Sequence, residues 1–457
     1  MIKTRFAPSP TGWLHIGGVR TALYSWLFAK NNEGEFYLRI DDTDKSRSDQ
    51  KYLDSILSSL DELDLKSDKD VIYQSQRLDI YIDNVEILLN NDHAYYDKIE
   101  INEKTKDTDL SLEFDNRLNK EGHVIRFRNP KQEVVVEDLI HGPVKFSNKA
   151  IHDIVILRSN GMPTYNITSV IDDNFMGITH IIRGDDHLNN TPVQQNIFHA
   201  LGFDIPKFAH LPMIHGTDGK RLSKRHGAVN INKFLEDGYL KESVINYLAK
   251  TGWSHGDQEF FSISELKKLF SLNKVTKSSA IFDYDKLNWL NQQYIKKMDL
   301  NDVAKLILPY LQTHNLSDVD MTYLKNILSL GIEREYTLKE IAKSLVYYFI
   351  EEIPYDTDDF KKFNPSKDNL ILDKVIKKLS DNNFEDEDKL GLCFQEFCQE
   401  NDLKFKDFGP VVRFGLTGRL KAPAINEICF LLGKTRTIDR LNNFQIFMSN
   451  NAVASNE

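Results

Sequence analysis

Cysteine is scarce in this sequence, and its scarcity excludes two kinds of stabilisation. The 457 residues include only Cys393, Cys398 and Cys429, all late in the chain. A disulfide framework requires more cysteines, and a structural zinc site requires ligands in paired spacing, which these three lack. We therefore expect a protein of the reducing cytoplasm without structural disulfides.

Long apolar runs are also missing. No segment of the sequence has the uninterrupted apolar length of a membrane-spanning helix. The first residues, 1–6, run directly into proline and glycine without the apolar stretch of a signal peptide. We expect a soluble, cytoplasmic protein, and because no stripe in the sequence indicates a subunit interface, we expect a monomer.

Positive charge is in deficit. Lys and Arg total 58 against 68 for Asp and Glu, which gives a formal net charge of -10. The chain as a whole is therefore not attracted to a polyanion. Any surface for nucleic acid must be a local basic patch.

The residues that are present first indicate a parallel α/β domain. Residues 3–7 and 36–40 have strand character, and a helix with one apolar stripe lies between them. A second stripe after Asp44 predicts another helix, with Ser46 or Ser48 as its N-cap. Strand, helix, strand, helix is the order of a parallel sheet, and the length of the chain predicts at least one further domain.

The pattern changes twice further along the chain. Residues 97–123 are polar with weak periodicity, which indicates an insertion, and strand signals resume at 124–127, 134–136 and 151–157. Thr191 and Pro192 predict a helix start with a capping residue and a first-turn proline. Beyond about residue 230 nearly every segment has helical period, so we expect a helical C-terminal half.

Two segments carry candidate chemistry. The first, PSPTGWLHIGG at residues 8–18, joins the first strand to the first helix. Glycines at a helix start let a ligand approach exposed N–H groups, the helix dipole favours phosphate there, and His15 can donate to phosphoryl oxygens. Taken alone, this run could equally be a capped turn with a surface histidine.

The second segment is a cationic loop, DGKRLSKRHG at residues 218–227. Cations held close together repel one another, so a site that receives a triphosphate explains them well. A solvated run of surface charge is the alternative.

Together these segments resemble the two signature motifs of class I aminoacyl-tRNA synthetases, in the form of the bacterial-type glutamyl-tRNA synthetases. The resemblance is carried by RFAPSPTG at 5–12, HIGG at 15–18 and RLSKR at 221–225, and it continues through RIDDTD at 39–44, PTYN at 163–166, HIIRGDDH at 180–187, GWSHGD at 252–257 and PVVRFGLTG at 410–418. It covers nearly the whole chain in order.

The resemblance implies a glutamate pocket. Glutamate has two carboxylates and one ammonium group, so its pocket needs cations and an anion. By similarity Arg5 and Arg183 bind the carboxylates, and Asp41 binds the ammonium group. The resemblance leaves open which arginine takes the side-chain carboxylate, and we choose Arg5. Ala7 and Ser9 line the pocket, and Tyr165 offers its hydroxyl. Alternatively, a neighbour such as Asp44 pairs with an arginine and both arginines are scaffold.

The resemblance also implies an ATP site and a two-step reaction. His15 and Lys224 are the expected catalytic residues, and the ATP-binding set is Gly17, Gly18, Asp186, Ile214, Arg221, Leu222, Ser223, Lys224 and Arg225. A glutamate carboxylate attacks the α-phosphate, and pyrophosphate leaves. The 2′-OH of the terminal tRNA ribose then attacks the carbonyl of glutamyl-adenylate. Mg²⁺ accompanies the triphosphate.

The chain departs from the family pattern at three places. Asp41 stands where glutamate is common, and Arg221 replaces a lysine. Many relatives have Cys-x-Cys after an Ala-Tyr-Tyr, but here residues 94–96 are followed by Asp97, and the insertion contains no cysteine. We therefore expect no structural zinc.

The resemblance divides the chain into a Rossmann-type α/β catalytic domain with an inserted acceptor-binding subdomain, followed by an all-α anticodon-binding region. The expected boundaries are 1–96 and 124–229 for the catalytic domain, 97–123 for the shortened core of the insertion, 230–319 for a stem-contact helical domain, and 320–457 for the anticodon-binding domain. There Arg413 contacts tRNA phosphate or pairs with an acidic neighbour.

The expected partners are therefore tRNA(Glu), glutamate and ATP. The alternative function is that of a catalytically inactive, synthetase-like RNA-binding protein. Intact His15, Lys224 and both pocket arginines favour the enzyme, because a protein without catalysis has no physical need for buried like charges.

Overall fold

The computed structural model describes residues 1–44, 47–98, 117–147, 151–220, 222 and 230–453. These residues form two compact units, Met1–Leu290 and Asn291–Glu457. The division into four stretches predicted from the sequence stays a prediction.

The strands all lie in the first unit. They are β1 Lys3–Phe6, β2 Glu35–Ile40, β3 Ile72–Tyr73, β4 Ala94–Lys98, β5 His123–Phe127, β6 Val134–Asp138, β7 Gly142–Phe146, β8 Ile154–Leu157, β9 His180–Gly184, β10 Lys207–Leu211, β11 Ile214–His215 and β12 Ala280–Ile281.

The helices that begin in the first unit are α1 Ile16–Asn31, α2 Gln50–Glu62, α3 Leu78–Asn90, α4 Tyr165–Phe175, α5 Thr191–Ala200, α6 Ile231–Glu236, α7 Lys241–Lys250, α8 Ile263–Leu269 and α9 Tyr284–Lys296. Short 3-10 turns lie at Gln74–Gln76, Asp185–Asn190 and Leu272–Lys274.

The second unit is helical throughout its described residues, as the sequence predicted. Its helices are α10 Leu300–Gln312, α11 Met321–Arg334, α12 Leu338–Leu345, α13 Thr357–Phe360, α14 Pro365–Ser380, α15 Glu387–Asn401, α16 Phe405–Thr417, α17 Ile425–Leu432 and α18 Lys434–Val453, with a 3-10 turn at Val346–Tyr348.

The strands that position the site pair in parallel. Strand β1 pairs in parallel with β2, and β2 with β3; β9 pairs in parallel with β10, which in turn pairs with β6. The Thr179 N–H donates to the Lys3 carbonyl at 3.0 Å, which brings the start of β9 beside β1. The carboxyl ends of β1, β2 and β9 therefore lie at one edge, where α/β proteins bind ligands.

A second, antiparallel sheet has the order β4-β5-β8. It packs through a cluster that includes Tyr81, Phe127, Ile156, Ile171 and Phe198. Its strands come from both sides of the predicted insertion boundaries, and only residues 97–98 and 117–123 of the insertion are described.

Four local predictions need correction. The N-cap of α2 is Asp49, whose side chain accepts from the Lys51 N–H at 3.0 Å. Ser48 is therefore not the N-cap, and Ser46 lies outside the described residues. Thr191 does not cap α5, because its hydroxyl contacts Arg183 instead.

The strand predicted at 151–157 begins only at Ile154, and β12 is a short strand beyond residue 230, where only helices were predicted. Strands β3, β4, β7, β9, β10 and β11 were not predicted.

We predict that glycine is required at the end of α16. Gly418 has φ +70°, and a Cβ there would lie 2.4 Å from the carbonyl oxygen of Pro354. Gly418→Ala should cost about 2–3 kcal/mol of the unfolding free energy, since it adds a steric clash to left-handed strain. Gly202→Ala is the control, because Gly202 has φ +68° and open space around its Cβ. It should cost only about 1 kcal/mol. Equal losses in urea unfolding would show that the clash relaxes freely.

Candidate active site

A cleft of about 1110 Å³ opens at the carboxyl edge of β1, β2 and β9. It brings together most of the residues predicted from the sequence to form the site. Twelve of them line it: Arg5, Ala7, Ser9, His15, Gly17, Gly18, Asp41, Tyr165, Arg183, Asp186, Ile214 and Leu222. Residues separated by more than 200 positions in the chain therefore share one cavity.

The cationic loop begins at the wall of this cleft. The Leu222 N–H donates to the Ile214 carbonyl at 3.0 Å, which joins the loop to β11. Arg221, Ser223, Lys224 and Arg225 lie outside the described residues, so their placement stays a prediction.

The start of α1 is shaped around His15. This residue is the N-cap of the helix, and its Nδ1 accepts from the Gly18 N–H at 3.0 Å. Since Nδ1 accepts, the ring proton is on Nε2. A Cβ at Gly17 would lie 3.1 Å from Nδ1, so glycine lets the ring fold against the first turn. The site therefore combines a helix N-terminus with an imidazole donor.

Beneath the cleft, Asp173 joins two buried arginines. Its carboxylate accepts from Arg5 Nε at 3.0 Å and from Arg39 Nη1 at 2.6 Å. Arg39 also donates from Nε to Asp41 at 2.7 Å. Arg5 therefore directs Nε and Nη2 at Asp173, and as far as the described residues go this leaves Nη1 for a ligand.

Asp172 extends this network away from the cleft. It accepts from Arg77 Nε at 2.8 Å, Gln74 Nε2 at 2.9 Å and Tyr81 Oη at 2.7 Å, and lies 3.9 Å from Arg39 Nε. Arginines 5, 39 and 77 thus face aspartates 41, 172 and 173. The network is charge-balanced, which offsets much of the cost of burying it.

The carboxyl group of Asp41 has a pKa close to neutral pH. Burial raises its pKa to about 6, although Arg39 acts in the opposite direction. It is therefore largely ionised at neutral pH and becomes protonated in mild acid.

Arg183 differs from Arg5, because its partners are neutral. It donates from Nη1 to Tyr165 Oη at 3.2 Å, from Nη2 to Thr191 Oγ1 at 2.8 Å, and from Nε to His210 Nε2 at 3.2 Å. Within the described chain no carboxylate lies within 4.0 Å of its guanidinium. Burial lowers its pKa, but an arginine remains charged at neutral pH. A buried cation without a counter-ion suits an anionic ligand.

Tyr165 is held between two groups. Its hydroxyl accepts from Arg183 and lies 3.1 Å from His187 Nδ1. Burial lowers the pKa of His187 to about 4, so the ring is neutral and Nδ1 can accept the phenol proton.

Comparison with known proteins identifies the family. Residues 1–289 match the family model described as tRNA synthetases class I (E and Q), catalytic domain, and residues 302–445 match one described as anticodon binding domain. The chain belongs to the class I tRNA synthetases of the E and Q group.

Individual relatives cover almost the whole chain. It is 41% identical to a glutamate–tRNA ligase of Francisella tularensis subsp. novicida, with 96% of this chain and 98% of that protein aligned. It is 42% identical to glutamate–tRNA ligase 1 of Coxiella burnetii, over 96% and 97%. A crystal structure of a glutamate tRNA ligase from Elizabethkingia meningosepticum in complex with its amino acid has a TM-score of 0.79 and 30% identity, over 97% and 98%.

In this class I synthetase, sequence reasoning missed the residues that support the site. Asp173 and Asp172 form the anionic network, and Arg20 lines the cleft with its guanidinium donating to the Pro212 and Thr251 carbonyls. His210 interrupts the apolar strand β10, and that polar residue in a buried run was the available signal. The two aspartates follow each other within α4, which gave no comparable signal.

Arg413 lies on α16 in the helical unit. Its Nε donates to the Pro423 carbonyl at 3.1 Å, and no carboxylate lies within 4.0 Å of it in the described chain. Burial lowers its pKa, with a further contribution from Arg334. Its role toward tRNA stays a prediction.

Among the described residues, no group of three or more His, Cys, Asp or Glu side chains could hold a metal ion. Similarly, no helix in the described chain is long and apolar enough to cross a membrane.

We predict that Asp173→Ala destabilises the synthetase strongly. The change removes the carboxylate that pairs with Arg5 and leaves Arg39 with fewer anions, and uncompensated buried charge costs about 3–5 kcal/mol. Urea unfolding of the N-terminal unit measures the loss. Asp61→Ala, which removes an exposed ion pair with Lys66, should leave the unfolding midpoint near that of the unchanged protein. A similar small shift for both variants would contradict the assignment of Asp173 as the centre of the network.

Proposed function

We propose that this chain is a glutamate–tRNA ligase, which activates glutamate with MgATP and transfers it to the 3′-terminal adenosine of tRNA(Glu). The observation that carries the proposal is the single cleft in which a helix N-terminus, the buried guanidinium groups of Arg5 and Arg183 and the buried carboxyl group of Asp41 meet. Family membership and the names of the relatives support it.

The glutamate pocket follows from complementary charge. Arg183 offers an uncompensated cation, and Arg5 offers its Nη1 donors, so each can bind one carboxylate. Asp41 offers the anion for the ammonium group, with Ala7, Ser9 and Tyr165 completing the wall. We assign the side-chain carboxylate to Arg5 and the other carboxylate to Arg183.

The ATP site follows from the start of α1. The N–H groups and dipole at Gly17 and Gly18 favour phosphate, and Nε2–H of His15 can donate to a phosphoryl oxygen. Asp186, Ile214 and Leu222 line the same cleft and suit the nucleoside. We assign Arg221, Ser223, Lys224 and Arg225 to the triphosphate from the sequence alone.

The reaction then needs no covalent enzyme intermediate. An oxygen of the glutamate α-carboxylate attacks the α-phosphorus, the bond to the bridging oxygen breaks, and pyrophosphate leaves with Mg²⁺ as part of the substrate. His15 and Lys224 stabilise the charge that develops. The 2′-OH of the terminal ribose attacks the adenylate carbonyl, its proton is lost, and AMP leaves. Arg413 is the proposed tRNA contact in the helical unit.

The first test is attachment of labelled glutamate to purified tRNA(Glu) and, separately, tRNA(Gln). We expect charging of tRNA(Glu), and Lys224→Ala should reduce kcat by about 100-fold or more, since it removes a cation that stabilises transition-state charge. Comparison of the two reactions shows whether the enzyme charges tRNA(Glu) alone or tRNA(Gln) as well. A folded protein that binds tRNA but charges neither, and forms no adenylate, would instead be an RNA-binding protein without catalysis.

The second test uses pH. Because the pKa of Asp41 is raised to about 6, its carboxylate gains a proton as pH falls through 6 and loses attraction for the ammonium group. The KM for glutamate should therefore rise between pH 7 and 5, by up to about tenfold per unit, whereas free glutamate titrates only near about 4.3. Asp41→Asn should bind weakly with little pH dependence in this window. A flat KM in the unchanged protein would remove Asp41 from the ammonium site.

A further inference from the structure

We propose that His210, with Asp138 behind it, positions the Arg183 guanidinium to receive a carboxylate of glutamate. The inference rests on the proposed function and concerns two residues outside the motifs that identify the family. They act through Arg183 and do not line the cleft.

Strand pairing fixes where these residues meet. In the parallel pair β9 and β10, Arg183 is the register partner of His210. Asp138 ends β6 on the other side of β10, where it is the register partner of Phe208. The side chains of His210 and Asp138 are fully buried, so no solvent competes for their hydrogen bonds.

The carboxylate of Asp138 sets the tautomer of the imidazole. Asp138 Oδ2 lies 2.7 Å from His210 Nδ1, so Nδ1 carries the proton and donates it. Nε2 must then be an acceptor; it receives the N–H of Arg183 Nε at 3.2 Å, and the Thr191 hydroxyl also lies 3.0 Å from it. Burial lowers the pKa of His210, which keeps the ring neutral and Nε2 unprotonated at neutral pH.

Asp138 is itself immobilised. One oxygen accepts the N–H groups of Ile140 and His141 at 2.9 and 2.8 Å, and the other accepts the His210 N–H at 3.0 Å. Burial acts to raise the pKa of Asp138, but these hydrogen bonds and His210 hold it below the ordinary value. The carboxylate therefore stays ionised and keeps the imidazole in one tautomer.

The hydrogen bonds of Arg183 leave some of its N–H groups for the substrate. A guanidinium has five N–H groups, and His210, Tyr165 and Thr191 take one each from Nε, Nη1 and Nη2. One N–H remains on each terminal nitrogen, and we assign that pair to the carboxylate, since a guanidinium binds such a group with two parallel hydrogen bonds. Since all three partners are neutral, the orientation is fixed without cancelling the charge.

The test compares two replacements of His210. His210→Asn keeps a polar group near Nδ1 but has no atom at Nε2, whereas His210→Gln can return an acceptor oxygen to that place. We expect His210→Asn to raise the KM for glutamate by about tenfold or more, with the KM for ATP within about twofold, and His210→Gln to recover most of the loss.

His180→Asn is the matched control. His180 is buried at the opposite end of β9, where it contacts Thr179 Oγ1 and pairs in register with Lys207, so it shares the sheet without reaching Arg183. It should leave the KM for glutamate within about twofold, provided thermal unfolding shows that every variant is folded. If His210→Asn does not fold, Asp138→Asn replaces it, because an amide facing Nδ1 favours the opposite tautomer.

The outcomes separate the two proposals. If the unchanged protein charges tRNA(Glu) but folded His210→Asn keeps its KM for glutamate, the positioning role is wrong and the ligase remains. Equal rises in the KM for glutamate and ATP, or an equal loss in His180→Asn, also overturn it, since a general packing defect would then be the cause. An unchanged protein that charges no tRNA overturns both.

Discussion

The structure of the cleft depends on the carboxylate of Asp173. It lies on α4 and accepts from Arg5, which is in β1, and from Arg39, which is in β2. Two buried guanidinium groups from adjacent strands repel each other, so they can stay side by side only with an anion between them. The same contact ties the helix to the sheet and fixes how Arg5 faces the cavity. Loss of this anion would disturb packing and the binding surface together.

This network explains why Arg5 and Arg183 differ. Arginines 5, 39 and 77 are balanced by three aspartates, whereas Arg183 has neutral partners in the described chain. Glutamate at neutral pH carries one net negative charge, which suits a pocket in which Arg183 has no carboxylate within 4.0 Å among the described residues. Glutamine has a neutral amide in place of the side-chain carboxylate, so it would leave one arginine without its anion. Desolvated charge without a partner is costly, and discrimination by such a cost is generally strong.

Part of this arrangement could be predicted from the sequence. The apolar stripe of α1 and strands β1 and β2 could be predicted because they depend on local periodicity, and the resemblance brought Arg5, Asp41 and Arg183 into one proposed site. Asp173 could not be found, because it meets Arg5 across 168 positions and only the strand order brings them together. Thr191 was taken for a cap for the same reason: its hydroxyl has a partner in a neighbouring strand. Local patterns specify elements, whereas buried polar partners depend on how the elements pack.

The partners of Arg183 follow a further constraint. A carboxylate in direct contact would orient the guanidinium well but would also cancel the charge that attracts the substrate. His210 and Tyr165 avoid this conflict because they accept hydrogen bonds while neutral. The charge of Asp138 is kept one side chain away, where it fixes the imidazole without pairing with the arginine. A buried arginine can thus be held in one orientation and still bind an anionic substrate. This requires that the groups orienting it are neutral, and that a further residue, here Asp138, fixes which nitrogen of the orienting imidazole carries the proton.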